Sequence, residues 1–494
     1  MKLLEEFLKA FPGRFKVYGS SLRIITDSYF FLGNDGKEKL LFVVGKKGIC
    51  QLFDGQKIGQ IGSNDVLMCK KTHENLLALR KIINLNPTTI NKKASFGFGD
   101  RIGLATPAHA KVAKDFEVFP IFAQQSVREL SRTGRTYKDV LDDAVWGVFE
   151  SGYNFEFGAD ADHVKEIEDL EKASNEGFTM YTVDPSDHIK DVSKLSQKEF
   201  QSLYQDNKIR RELEMRYVGK LYKFKDFEFR MTDEEFAEIF VTYIDAIEHV
   251  CKCYDVLKAK GKPFDFEVSI DETAVPTTPL AHIFIVKELR RRGIDFKTLA
   301  LRFSGEWQKG IDYIGDMEMF RKEIITHSKI SKELGGYKLS LHSGSDKFSV
   351  YPIFSEATEG EFHVKTAGTN YLEAIRVVAV KDPELYREIH KFALTKFEQD
   401  RKSYHVTTDL SKIPDVDKMK NEELVKLLDM PDSRQLIHIT YGSVLTAKDE
   451  NGRWLFKERI LKVLQENEDL HYDFVEKHMR KHLSLLGLER RIEK

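Results

Sequence analysis

From residue 94 onward, short apolar runs alternate with stretches of helical period. The runs read SFGFG (95–99), VFPIFA (118–123), YNFEF (153–157), FTMYTV (178–183), FDFEVSI (264–270), LALRF (299–303), YKLSLH (337–342) and EFHVK (361–365). Helical stretches at 164–173, 280–292 and 317–334 separate several of them. Eight strand–helix units in succession predict an α/β fold, a (β/α)8 TIM-type barrel over residues 94–380, with an open doubly wound sheet as the alternative. Residues 1–93 read as a small α+β domain, with strand-like runs at 22–25, 40–44 and 49–53 and a helix at 74–83. A long helical insertion after strand four, about 185–262, ends in a helix at 233–260 and is expected over the barrel mouth or at a subunit contact. Residues 381–494 form a mainly helical C-terminal extension with helices at 383–401, 422–428 and 454–466. A strand-like run, RQLIHITYG (434–442), carries Arg434, His438 and Tyr441, which an extension could lend to a neighbouring site but which read first as fastening that extension.

Alternation along each strand sorts the side chains. In FDFEVSIDE, Phe266, Val268 and Ile270 form the helix-facing set, which turns Glu267, Ser269 and Asp271 into the barrel. The same count turns Arg302, Ser304 and Glu306 inward on strand six, and Lys338, Ser340 and His342 on strand seven. On strand eight it selects His363 and Lys365, and on strand three Glu156. A purely structural barrel fills its interior with Val, Ile and Leu. Charges in such a place must pair, bind a metal or face a wet pocket, because an unpaired buried charge costs several kcal/mol. A closed network, such as Arg302 with Glu267, is the bland reading.

The polar positions cluster at strand ends. After the run 153–157 and a break at Gly158, Asp160, Asp162 and His163 fall in the predicted turn before a helix. An adjacent Asp–His pair can divide the labour, the imidazole holding a metal and the carboxylate moving a proton. His163 and His342 have the setting of metal ligands, with Glu306, ranked ahead of Asp271, as the carboxylate. Imidazole and carboxylate donors without thiolate suit a divalent cation such as Zn, Mn, Co or Ni. Glu267 and Glu272 are the further acid/base candidates. The turn Ser343-Gly344-Ser345 offers amides to an anion, and Arg302 and Lys365 offer charge. The partner implied is a small molecule. A net charge of −2 with scattered Lys and Arg argues against nucleic acid, and no apolar run approaches the ~20 residues of a membrane span. Cys50, Cys69, Cys251 and Cys253 read as packing residues in a cytoplasmic protein, which could form a homo-oligomer.

The pairing of ADADH (159–163) with LHSGSD (341–346) resembles class II metal-dependent aldolases. That resemblance implies Asp162 as proton carrier and His163 and His342 as metal ligands. The aldolase histidine of strand six is replaced by Ser304-Gly305-Glu306, and the phosphate motif after strand eight by KTAGTN (365–370). Longer runs resemble the tagaturonate epimerases: SFGFGDRIGLATPAH (95–109), FGADADHVK (157–165), SLHSGSDKFSVYP (340–352) and VKTAGTNYLEA (364–374). This second resemblance implies a metal-dependent isomerase that interconverts the keto-uronates tagaturonate and fructuronate in galacturonate breakdown. An aldolase acting on a keto sugar or keto sugar acid, or a non-catalytic sugar-binding barrel, are the competing expectations.

Overall fold

The computed structural model describes residues 2–366 and 368–490. Eight parallel strands close into a barrel: Ala94–Phe98, Phe119–Ser126, Gly158–Val164, Met180–Val183, Asp265–Ser269, Thr298–Ala300, Lys338–Leu341 and Phe362–Thr366. They are strands one to eight below. Closure is made by strand eight pairing with strand one, Phe362 opposite Ala94 through Thr366 opposite Phe98. The expected barrel is therefore present and the open sheet is excluded.

One strand differs from the pattern read along the chain. Strand three is GADADHV itself, and the aromatic run 153–157 is the loop leading into it. Tyr153 and Phe157 are buried, whereas Glu156 is exposed beside Asn91 and does not face inward. Small Gly158, Ala159 and Ala161 fit the tight wall here. The Cβ position of Gly158 already meets Phe119 at 3.0 Å.

The N-terminal sheet is antiparallel, ordered Lys16–Ile25, Ser28–Asn34, Lys39–Gly45, Asn64–Lys70 and Gly55–Ile61. Helix Lys2–Ala10 covers one face, where Phe7, Phe31 and Phe42 pack together. The expected strand at 49–53 is instead the short helix Lys47–Cys50 with a turn. The strand that follows is an exposed edge whose outward face needs no apolar residues, so its sequence carries little alternation.

The insertion does not cover the mouth. Its long helix Asp233–Ala259 packs against Ile167–Glu176 and Pro279–Arg291 on the outer wall, and Tyr217 reaches Glu288 there at 2.6 Å. The C-terminal extension takes the mouth instead. Its core begins inside the eighth barrel helix, Thr369–Lys381, whose Leu372, Ile375 and Val378 pack with Leu385, Ile389 and Leu436. The strand-like run around residue 437 is the helix Pro431–Ile439, buried on almost every side. Near-continuous burial had removed the 3.6-residue polar face that marks a helix.

Candidate active site

The floor of the mouth is built on a kink in strand three. Ala161 pairs with Tyr181 and Val164 with Val183, so two residues, Asp162 and His163, oppose only Thr182. His163 adopts φ +48°, in the left-handed region that a branched or bulky residue avoids. Plain alternation would send these neighbours to opposite faces. The bulge brings both to the mouth, where both line one cavity.

Below them lies a buried charge network. The Lys365 ammonium donates to Asp160 at 2.6 Å and Asp162 at 2.8 Å, and it lies 3.0 Å from Glu267. Glu267 is fully buried and also takes hydrogen bonds from Thr182 and Thr298. Burial pushes the Asp160 carboxyl up to about 6 despite Lys365, whereas Lys365 and His163 hold Asp162 well below the usual carboxylate range against the cost of burial. The interior is thus a mutual network, as the bland reading expected, but its cation is Lys365. Arg302 is absent from it because strand six ends at Ala300, after which the chain turns outward.

Above the network, Asp271, His163 and His342 converge. Asp271 Oδ1 lies 3.0 Å from His342 Nδ1 and 4.0 Å from His163 Nε2, and accepts from the Ser269 hydroxyl at 2.6 Å. Each imidazole is backed by a carboxylate. His163 Nδ1 donates to Asp162 Oδ1 at 2.7 Å, and His342 Nε2 donates to Glu267 Oε1. This carboxylate–histidine pairing is how proteins orient imidazole ligands, and it leaves the other nitrogen of each ring facing Asp271. Two imidazoles and one carboxylate within 4.8 Å of one another fit a borderline divalent cation. Burial opposes a charge on His163, but Asp162 and then Asp271 lift it to about 10.

Two cavity lobes, about 370 and 280 Å³, open on this cluster and share seven lining residues, His163, Glu272, Lys309 and His342 among them. Glu306, expected as the carboxylate ligand, lies apart from the cluster. It pairs with His405 at the rim and is 42 % exposed. Arg302 stands in the second lobe, where among the described residues its guanidinium makes a single 3.4 Å bond, to the Gly305 carbonyl. Glu272 borders both lobes and touches Arg128 at 3.5 Å. Lys365 has its donors committed to the network, so its geometry does not favour holding a substrate anion. The Gly344 amide is likewise spent on the Lys365 carbonyl at 3.0 Å, while Ser343 and Ser345 line the first lobe.

Several wall residues had no strand-end signal in the sequence. Tyr404 and His438 come from the C-terminal extension, and Arg101 and Gln124 from the ends of strands one and two. Arg434 and Tyr441 do fasten the extension, through Asp346 at 2.9 Å and by stacking under Arg101 at 3.7 Å. Lys309 was legible only as a charge three residues beyond Glu306.

Among the described residues, no helix is long and apolar enough to cross a membrane. The family profile of tagaturonate epimerases matches residues 18–486. A tagaturonate/fructuronate epimerase of Thermotoga maritima is 50% identical over 485 residues, covering 98% of this chain and 99% of that protein. The native crystal structure of the fructuronate-tagaturonate epimerase of Cohnella laeviribosi has a TM-score of 0.93 at 38% identity, covering 99% of each chain. A glycerol complex of that enzyme matches with a TM-score of 0.93 at 37% identity, over 99% of this chain and 100% of that one. With a bulged Asp–His step, two carboxylate-backed imidazoles and a profile match along nearly its whole length, this chain belongs to the tagaturonate epimerase family.

Proposed function

We propose that the protein interconverts tagaturonate and fructuronate by epimerisation at carbon 3, with a divalent cation held by His163, His342 and Asp271. The observation that carries this reading is the backing of both imidazoles by buried carboxylates, with their remaining nitrogens turned to one aspartate oxygen. A divalent cation bound there supplies Lewis-acid stabilisation of negative charge on the substrate oxygens.

The position of the inverted carbon selects the path. In a 5-keto-hexuronate, carbon 3 is one atom beyond the carbon that the ketone acidifies, so its hydrogen is not labile. Its hydroxyl is β to the carbonyl, as a retro-aldol cleavage requires. Asp162 makes both of its bonds through Oδ1, and Oδ2 takes no hydrogen bond from the described residues. It borders the cavity, and Lys365 and His163 keep it ionised. Asp162 therefore accepts the carbon-3 hydroxyl proton through Oδ2 while the bond between carbons 3 and 4 breaks. The electron pair passes to the ketone fragment, a dihydroxyacetone enediolate, and carbon 3 becomes the aldehyde of tartronate semialdehyde. Rotation of that aldehyde and re-addition on its other face return the proton and give the epimer. Walls contributed by Tyr404 and His438 retain both fragments. Glu267, buried under His342, orients that ring and is not a proton carrier in this scheme. Turnover in deuterated water is the test. The retro-aldol path leaves no deuterium at carbon 3, and one deuterium per inversion there would replace it with direct proton exchange.

A further inference from the structure

One corner of the first lobe is set up for an anion, and no step above uses it. Lys309, in the loop after strand six, donates to the Ser343 hydroxyl at 2.9 Å and pairs with no carboxylate among the described residues. Of the other cations lining this lobe, Lys165 pairs with Asp187 at 2.8 Å and Arg128 lies 3.5 Å from Glu272. Arg101 is 3 % exposed and bound to Glu129 at 2.7 Å, and Lys365 is locked in the barrel network. Facing the corner is His438, 1 % exposed, with neither ring nitrogen hydrogen-bonded among the described residues. Burial, then the charges of Arg101 and Lys309, hold its imidazole neutral, so it can donate through one nitrogen and accept through the other.

The third wall is the start of the helix Thr369–Lys381, whose N-cap residue, Gly368, supplies no side-chain cap. Gly368 begins it, and a Cβ there would lie 2.3 Å from the His438 ring and 2.9 Å from Arg101. Only glycine leaves this space open. Amides at such an N-terminus favour negative charge.

The corner is also held rigidly, and by the C-terminal extension. Gln435 donates to the Lys309 carbonyl at 3.1 Å, and Arg434 Nε donates to the Gly310 carbonyl at 2.8 Å. From the other side Lys347 donates to the carbonyls of Gln308 at 2.8 Å and Ile311 at 2.6 Å. A half-buried, unpaired ammonium on a loop pinned at four successive residues is preorganised for a ligand rather than left to solvent.

We propose that Lys309, with Ser343, His438 and the start of the eighth barrel helix, forms the subsite for the substrate carboxylate, and that the C-terminal extension exists in part to build it. The inference rests on the keto-uronate reading above and assigns the group that reads its charge. Ser343 adjoins His342, so a carboxylate held here lies beside the reacting centre. It anchors the three-carbon aldehyde fragment at its acid end, leaving the aldehyde carbon free to rotate.

Calorimetry on metal-free protein, with glycerate as probe and glycerol as its uncharged counterpart, tests the subsite apart from catalysis. Wild type should prefer glycerate, Lys309→Met should lose that preference, and Lys309→Arg should keep most of it. With the metal restored, Lys309→Met should raise KM for the keto-uronate on the order of 10²-fold, with a smaller change in kcat and unchanged metal affinity. Failure of wild type to prefer glycerate overturns the proposal, as does Lys309→Met binding it as well as wild type. So does a larger loss in Arg302→Met, which would put the carboxylate in the other lobe. Wild type that binds glycerate through Lys309 but does not epimerise the keto-uronate would instead refute the parent reading and leave the subsite standing.

Discussion

The barrel mouth and the seam under the last helix each gather one aspartate and two histidines: Asp271 with His163 and His342, and Asp346 with His478 and His482. What lies behind the imidazoles separates them. In the mouth, each ring donates to a buried carboxylate and turns its other nitrogen toward Asp271. In the seam, His482 Nδ1 donates to the His478 carbonyl at 2.9 Å, and its Nε2 accepts the Asp346 amide at 3.1 Å. That ring has no lone pair left. Asp346 also carries Arg434 at 2.9 Å, a cation already in place. The same residue types thus converge on one carboxylate oxygen in one region, the geometry the proposed cation site needs, and form a clamp between barrel and extension in the other. Residue identity supplies ligand chemistry only where the hydrogen bonds leave a lone pair free.

The sharpest way to break this contrast is to remove the imidazoles. His163→Ala and His342→Ala should each bring turnover to background and abolish stoichiometric metal by elemental analysis, whereas His478→Ala should leave metal content intact. Chelation should abolish activity and lower the melting temperature, and added divalent metal should restore both, since a ligand that binds only the folded state stabilises it. Equal metal loss in the seam variant would erase the distinction.

Asp162→Asn comes next. Losing a positioned base costs ~10²–10⁴ in rate, or roughly 2.7–5.4 kcal/mol, with metal retained. Near wild-type turnover would leave Asp162 with only its structural bonds to His163 and Lys365.

In the seam the loss should appear as stability. Asp346→Asn removes one partner of a buried ion pair with Arg434, a change that costs about 3–5 kcal/mol in comparable pairs. Urea unfolding should show a lower midpoint, and turnover per folded molecule should fall far less than in Asp162→Asn.

The smallest effect belongs to Glu306→Gln. Its pair with His405 is exposed, and such pairs contribute ~0–1 kcal/mol. Metal content and activity should stay near wild type. A loss of metal comparable to that of Asp271→Asn would return Glu306 to the ligand set.

Much of this was legible in the chain. Period-two counting placed Glu267 and Ser269 inside correctly, because strand five is regular through Ser269 and its apolar set faces the helices. It failed for Arg302 and Glu306, because strand six ends at Ala300 and alternation says nothing once pairing stops. It misplaced strand three, because GADADHV, a strand of small and charged residues, offers no apolar alternation, while YNFEF, an aromatic loop packed on the wall, imitates one. His438 reads from the sequence first as a fastening residue and second as one lent to a neighbouring site, and its run reads as strand or buried helix alike; the structure puts it in the cavity wall.

The sequence by itself determined the eight-fold repeat, the family, and the residue types at the strand ends, because these follow from local periodicity and contiguous motifs. Tertiary structure alone decided which carboxylate joins the two histidines, how Asp162 and His163 come to share one face, and that the extension, not the insertion, walls the mouth. Each of these depends on a bulge, an early strand end or a contact between segments more than a hundred residues apart. Such features arise from the closure of the barrel, and no local pattern along the chain encodes them.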